Sequence, residues 1–105
     1  MLKRLFDTIE ERKANPKPGS YTNRLFEAGE DEILKKVGEE AMEVILAAKQ
    51  SDSARGQVNQ RLIEEISDLF YHTLVLLSSR GLRLEDIEKE LTRRHSPNLN
   101  ERLAD

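Results

Sequence analysis

Between Gly38 and Leu91 the chain contains no proline, and nowhere in that stretch do β-branched residues alternate with polar ones. A run this long, free of the residue that breaks backbone ladders and lacking the period-two pattern of a half-buried strand, points to helices. All three prolines fall in two places, Pro16 and Pro18 near the start and Pro97 near the end. The segment from Asn15 to Thr22 (Asn-Pro-Lys-Pro-Gly-Ser-Tyr-Thr) therefore reads as a loop, since each proline restricts its neighbour and Gly19 adds freedom.

Apolar spacing predicts the helices themselves. Met1 to about Ala14 carries Leu2, Leu5, Phe6 and Ile9, and Asp31 to about Gln50 carries Ile33, Leu34, Val37, Ala41, Val44, Ile45 and Ala48. Ser51 to Gly56 breaks the pattern. Gln57 to Ser79 is the longest run, and Gly81 stands where a helix-ending glycine belongs. A shorter helix is expected from about Leu84 to His95. Thr22 to Gly29 reads as either a helical turn or a structured loop, so the count is four to five. The expected fold is all-α, an antiparallel helical bundle forming a single domain over residues 1–105.

Composition narrows the function classes. Charged residues make up 35% of the chain, but 17 basic and 20 acidic side chains leave a net charge of −3. General nucleic-acid binding, which needs positive charge to displace counterions, is not expected. With no cysteine there is no disulfide, thiolate metal site or thiol nucleophile. No apolar run approaches the ~20 residues that span a bilayer, and Met1-Leu2-Lys3-Arg4 opens no signal peptide. These features predict a cytoplasmic protein with no membrane partner. On the longest helix the apolar stripe is roughly 160° wide at about 100° per residue, more than four short helices can cover. Burial against a second copy, a homodimer, follows as an expectation.

Two acidic clusters carry the chemistry, Glu39-Glu40-Ala41-Met42-Glu43 on the first long helix and Glu64-Glu65-Ile66-Ser67-Asp68 on the second. Glu40 and Glu43 are three apart, as are Glu65 and Asp68, so each pair shares a helical face. Lys36, Glu40, Glu43 and Ala47 form a line beside an apolar stripe centred on Ala41. Met42 and Leu46 fall outside that stripe, roughly 100–140° away. Arg61, Glu65, Asp68 and His72 form the equivalent line on the second helix. Antiparallel packing through the stripes would bring four carboxylates to one partly buried groove. A solvated face would place Lys or Arg three or four residues after each acid, and these acids are followed by Glu43, Val44, Leu46, Ala47, Asp68 and Leu69 instead. All-oxygen ligation suits Mg²⁺, with Mn²⁺ as a substitute. The Glu-x-x-His pairs of a ferritin-like di-iron bundle are missing. Lys35, Lys36, Lys49 and Arg24 are at hand for a phosphorylated substrate, and His72 shares the acid line.

The spacing Glu39, Glu40, Glu43 followed by Glu65 and Asp68 resembles the signature of the MazG-like all-α nucleotide pyrophosphatases. The stretches Pro18-Gly19-Ser20-Tyr21-Thr22, Lys36-Val37-Gly38-Glu39-Glu40, Asp68-Leu69-Phe70-Tyr71-His72 and Arg80-Gly81-Leu82 resemble the phosphoribosyl-ATP pyrophosphatase family of histidine biosynthesis, over roughly residues 2 to 95. The resemblance implies Mg²⁺-dependent hydrolysis of phosphoribosyl-ATP to phosphoribosyl-AMP and pyrophosphate by metal-activated water in a homodimer, with a separate cyclohydrolase as a further partner. It implies Glu40, Glu43, Glu65 and Asp68 as metal ligands and Glu39 as an aid to water activation. It makes Ser20, Tyr21, Arg24, Lys36 and Lys49 candidates for phosphate or ribose binding, with His72 beside them. After His95 the chain departs from the family pattern with Ser96-Pro97-Asn98-Leu99-Asn100. The alternatives are a house-cleaning nucleoside triphosphate pyrophosphatase of the same fold, which has no need of Ser20-Tyr21-Thr22, and a non-catalytic helical dimer module.

Overall fold

The computed structural model describes residues 1–50 and 55–95, so Ser51–Ala54 of the expected break and the divergent stretch after His95 lie outside the described residues. Five helices follow one another: α1 (Leu2–Ala14), α2 (Tyr21–Ala28), α3 (Glu30–Gln50), α4 (Arg55–Ser79) and α5 (Leu84–His95), with no strand among the described residues. The all-α expectation holds, at the upper helix count. Thr22 to Gly29 resolves as a helix, and the proline loop ends at Ser20 rather than Thr22. The Ser20 side chain is the reason: its hydroxyl accepts from the Asn23 backbone N–H at 3.2 Å and caps α2.

The helix ends obey local rules. Gly81 adopts φ +71°, and the Leu82 N–H reaches the Leu77 carbonyl at 2.9 Å while the Gly81 N–H reaches Ser78 at 3.0 Å. That paired closure needs a left-handed residue after the helix, and glycine takes it without a Cβ clash. Gly29 alone separates α2 from α3 and sits at φ +99°, ψ 175°, a region open essentially to glycine alone.

α3 and α4 make the most extensive contact in the molecule. Their pairing is antiparallel: Glu30 meets Arg80, Glu40 approaches His72, and Glu43 approaches Arg61. At 1.5 Å per residue these helices run about 31 and 37 Å, from their 21 and 25 residues. The core lies at one end of this hairpin, where Phe6 and Ile9 of α1, Leu25 of α2 and Ile33 of α3 close over Leu74, Val75 and Leu77 of α4.

One expectation needs correcting. The face of α3 that packs is defined by Ile33, Val37, Glu40, Val44 and Ala47, whose mean direction lies about 80° round from Ala41 toward Glu40. The packed face is therefore centred nearer the acid line than on Ala41. The apolar stripe is wider than one helix contact can cover, so its far side stays bare. Leu34 and Ile45 are 43% and 56% exposed, along with Met42 at 54% and Leu46 at 46%.

The proline loop is held by Asn23, which is buried. Its Oδ1 accepts from the Lys17 N–H at 2.8 Å and its Nδ2 donates to the Arg12 carbonyl at 2.6 Å. Asn23→Ala strands both backbone groups and is expected to cost about 2–3 kcal/mol in urea unfolding, without altering the denaturant slope. A loss under about 1 kcal/mol would show that the loop finds other partners.

Candidate active site

Because α3 and α4 run antiparallel, one turn of each faces the other at Glu40 and at Glu65–Asp68. Oxygens of Glu40, Glu65 and Asp68 all lie within 4.8 Å of one another. Glu40 and Glu65 are half-buried and Asp68 is exposed, so the trio opens to solvent on one side. Burial holds the Glu40 carboxyl above its ordinary value of 4.5; the charges of Asp68 and Glu65 push the same way, while His72 pulls it down. Three like charges at the edge of a core repel unless a proton or a cation sits among them. The donor set is carboxylate oxygen alone, which fits a hard cation. Oxygens around octahedral Mg²⁺ lie about 3 to 4.2 Å apart, and the trio's oxygens, all within 4.8 Å of one another, are close enough to share one cation.

Of the four acids expected to converge, the structure brings together three. Glu43 points instead to Arg61, 3.6 Å away across the helix pair, with both side chains about half exposed. Glu39 stands outside the trio between Lys35 and Lys36, each 3.8 Å from one of its oxygens. Lys36 thus lies one turn before Glu40, on the flank of the cluster. Lys49 does not join this group. Nine residues beyond Glu40, it projects about 180° away around α3 and is exposed.

The other expected residues assemble at the start of α2. Ser20 is occupied as its cap. The Arg24 guanidinium lies 5.5 Å from the centre of the Tyr21 ring and donates to the Gly19 carbonyl at 3.3 Å. A hollow of about 500 Å³ opens beside them, lined by Lys17, Gly19, Ser20, Arg24 and Glu27 among others. Tyr21 Oη lies 2.9 Å from His72 Nε2. His72 is buried, with Nδ1 2.9 Å from the Asp68 carbonyl and 3.8 Å from a Glu40 oxygen.

Sequence reasoning gave no site role to Asn23, Thr22 or Tyr71. Thr22 is buried and hydrogen-bonds to the Tyr71 hydroxyl, and burial pushes the Tyr71 phenol upward. The available signal was positional. Thr22 shares a helical face with Leu25 and Phe26, and Tyr71-His72-Thr73 interrupts the apolar run between Leu69 and Leu77 of α4.

Fold and cluster together define a class: an all-helical protein whose two longest helices present a carboxylate trio suited to a divalent cation. Residues 2–95 match the family described as phosphoribosyl-ATP pyrophosphohydrolase. The phosphoribosyl-ATP pyrophosphatase of Clostridium acetobutylicum is 53% identical over 102 residues, covering 97% of this chain and 87% of that protein. The protein of that name from Bacillus anthracis is 53% identical over 94 residues (90% and 82%), and the one from Bacillus mycoides 50% over 95 (90% and 83%). The chain belongs to the phosphoribosyl-ATP pyrophosphohydrolase family.

The burial of Glu40, with the charges crowded beside it, has a measurable consequence. Its folded-state pKa exceeds the ordinary value, so the folded protein binds that proton more tightly than the unfolded chain. This contribution to stability is complete below the ordinary carboxylate value and is lost as pH rises through the raised one. Glu40→Gln removes the charge with little change of shape. In chelator at pH 7 it is expected to raise Tm by about 3 °C, with the gain vanishing near pH 4, as read by calorimetry. A gain independent of pH would show that the Glu40 charge is not the cause.

Proposed function

We propose that this protein hydrolyses 1-(5-phosphoribosyl)-ATP to 1-(5-phosphoribosyl)-AMP and pyrophosphate, the second step of histidine biosynthesis, and that Mg²⁺ or Mn²⁺ serves it. The observation that carries this reading is the trio of Glu40, Glu65 and Asp68 on a chain of this family. These three residues would hold the cation, and Glu43 would join them by releasing Arg61. When bound, the cation supplies charge neutralisation on the phosphates and a more acidic water. Water oxygen adds to phosphorus as the phosphoanhydride bond to pyrophosphate breaks, and the water's proton leaves to a nearby base. Glu39, outside the trio and braced by two lysines, orients that water. Lys36 and Arg24 bind phosphate oxygens and stabilise charge growing on the leaving group. Ser20 and the proline loop shape the mouth of the site.

The test is pyrophosphate release from phosphoribosyl-ATP with Mg²⁺ and then with EDTA, beside ATP and dUTP. Metal-dependent release from phosphoribosyl-ATP alone is expected. Release from the simple triphosphates instead would move the protein to the house-cleaning branch of the same architecture. Asp68→Ala and Glu65→Gln should each lower kcat/KM by about 10²-fold or more. Glu43→Gln should match them if Glu43 leaves Arg61 for the cation, and should be nearly silent if it does not.

We also propose that the working form is a homodimer. Ile45, Ile63 and Phe70 are each at least 50% exposed along the two long helices. A groove lined by Leu2, Leu69, Phe70, Leu77, Leu84 and Ile87 continues that apolar face, and α5 buries none of its residues. A second copy carrying the same faces would cover them. Light scattering on the 12.1 kDa chain should give twice that mass, and Ile45→Glu with Ile63→Glu should return it to the single value. A monomeric wild type would overturn this. No described helix is long and apolar enough to cross a membrane, in keeping with a cytoplasmic site of action. A separate cyclohydrolase is the proposed partner that takes the product onward.

A further inference from the structure

α2 packs chiefly against α1 and α3, yet the carboxylates it must serve include two on α4. Besides Leu25 in the core, what ties α2 to α4 is a set of side chains at its first turn. Tyr21 Oη meets His72 Nε2 at 2.9 Å, and the next residue, Thr22, meets the Tyr71 hydroxyl. The Tyr21 and Tyr71 rings stack with centroids 6.1 Å apart, and the His72 ring stands edge-on to both at 5.8 and 5.1 Å. His72 and Thr22 are buried, so water offers neither an easy substitute partner. The other nitrogen of His72 lies 2.9 Å from the Asp68 carbonyl, which can only accept. Nδ1 therefore carries a proton, and in the Nδ1–H tautomer Nε2 accepts from the Tyr21 hydroxyl.

We infer that Tyr21–His72, backed by Thr22–Tyr71, is a clamp that sets the substrate loop at a fixed height over the Asp68 turn of α4. Tyr21 and His72 are positioning residues, acting through the loop and through Asp68. An eight-residue helix has little intrinsic stability, so the direction in which Ser20 and Arg24 face depends on this attachment. The inference rests on the proposed hydrolysis for its kinetic consequence, and on geometry alone for the hydrogen bond.

Two measurements test it separately. Tyr21→Phe removes one oxygen and keeps the ring. His72→Asn can still donate to the Asp68 carbonyl but cannot reach Tyr21. Each is expected to raise KM for phosphoribosyl-ATP about three- to tenfold with a smaller change in kcat, and the double variant should be no worse than His72→Asn alone. Wild-type KM in Tyr21→Phe, or additive effects in the double variant, would overturn the clamp. Nitrogen-15 NMR of the His72 ring reads the bond without turnover. The Nδ1–H tautomer is expected, with an Nε2 resonance that moves in Tyr21→Phe, and an Nε2–H tautomer would equally overturn the inference. If the signature stands while the wild type fails to release pyrophosphate, the clamp is upheld and the proposed reaction is what fails.

Discussion

The antiparallel seating of α3 on α4 is the contact on which the rest of the molecule depends. It places Glu40 opposite Glu65 and Asp68, an arrangement that opposes folding while all three are ionised and unneutralised. Helices chosen for stability alone would set Lys or Arg across from those acids, as Glu43 and Arg61 are set one turn further along. The cluster is tolerated because Ile33, Val37, Val44 and Ala47 seat α3 along the same face, and because the trio opens to solvent on the Asp68 side.

Support for that seat is uneven along its length. The core gathers where α1, α2 and the start of α3 meet the last turns of α4. There Lys13 donates to the Ser78 carbonyl at 2.6 Å, and Glu30 pairs with Arg80. The opposite half of the hairpin carries Met42, Ile45, Leu46 and Ile63 bare. The cluster lies between these two regimes, close enough to the core to be partly dry and close enough to the bare half to be shaped by whatever covers it. Such a boundary position suits a site that must hold charge yet admit a large polyanion.

Much of the fold was legible in the chain. Long helical periods and the glycine at position 81 depend on neighbours within a few residues, and such short-range rules can be read in order. Pairing of Glu65 with Asp68 on one face follows from the turn of a helix alone. The single-residue junction at Gly29 was not legible, because glycine in that position also occurs in ordinary loops. Asn23 was missed for a related reason: a polar residue in a helix usually faces water, and only the folded loop shows that its amide serves Lys17 and Arg12.

The sequence by itself determined the four longer helices, their order, the family and the two acidic lines that could meet. Tertiary structure decided which of those acids do meet. A helical wheel ranks directions within one helix, but the rotation of one helix against another is set by side-chain packing over its whole length. That rotation moved the packed face of α3 toward Glu40, turned Glu43 to Arg61, left Lys49 on the far side, and buried His72 between Tyr21 and the Asp68 carbonyl. Contacts that join residues some 50 positions apart arise from the sum of the packing, and no local pattern encodes them.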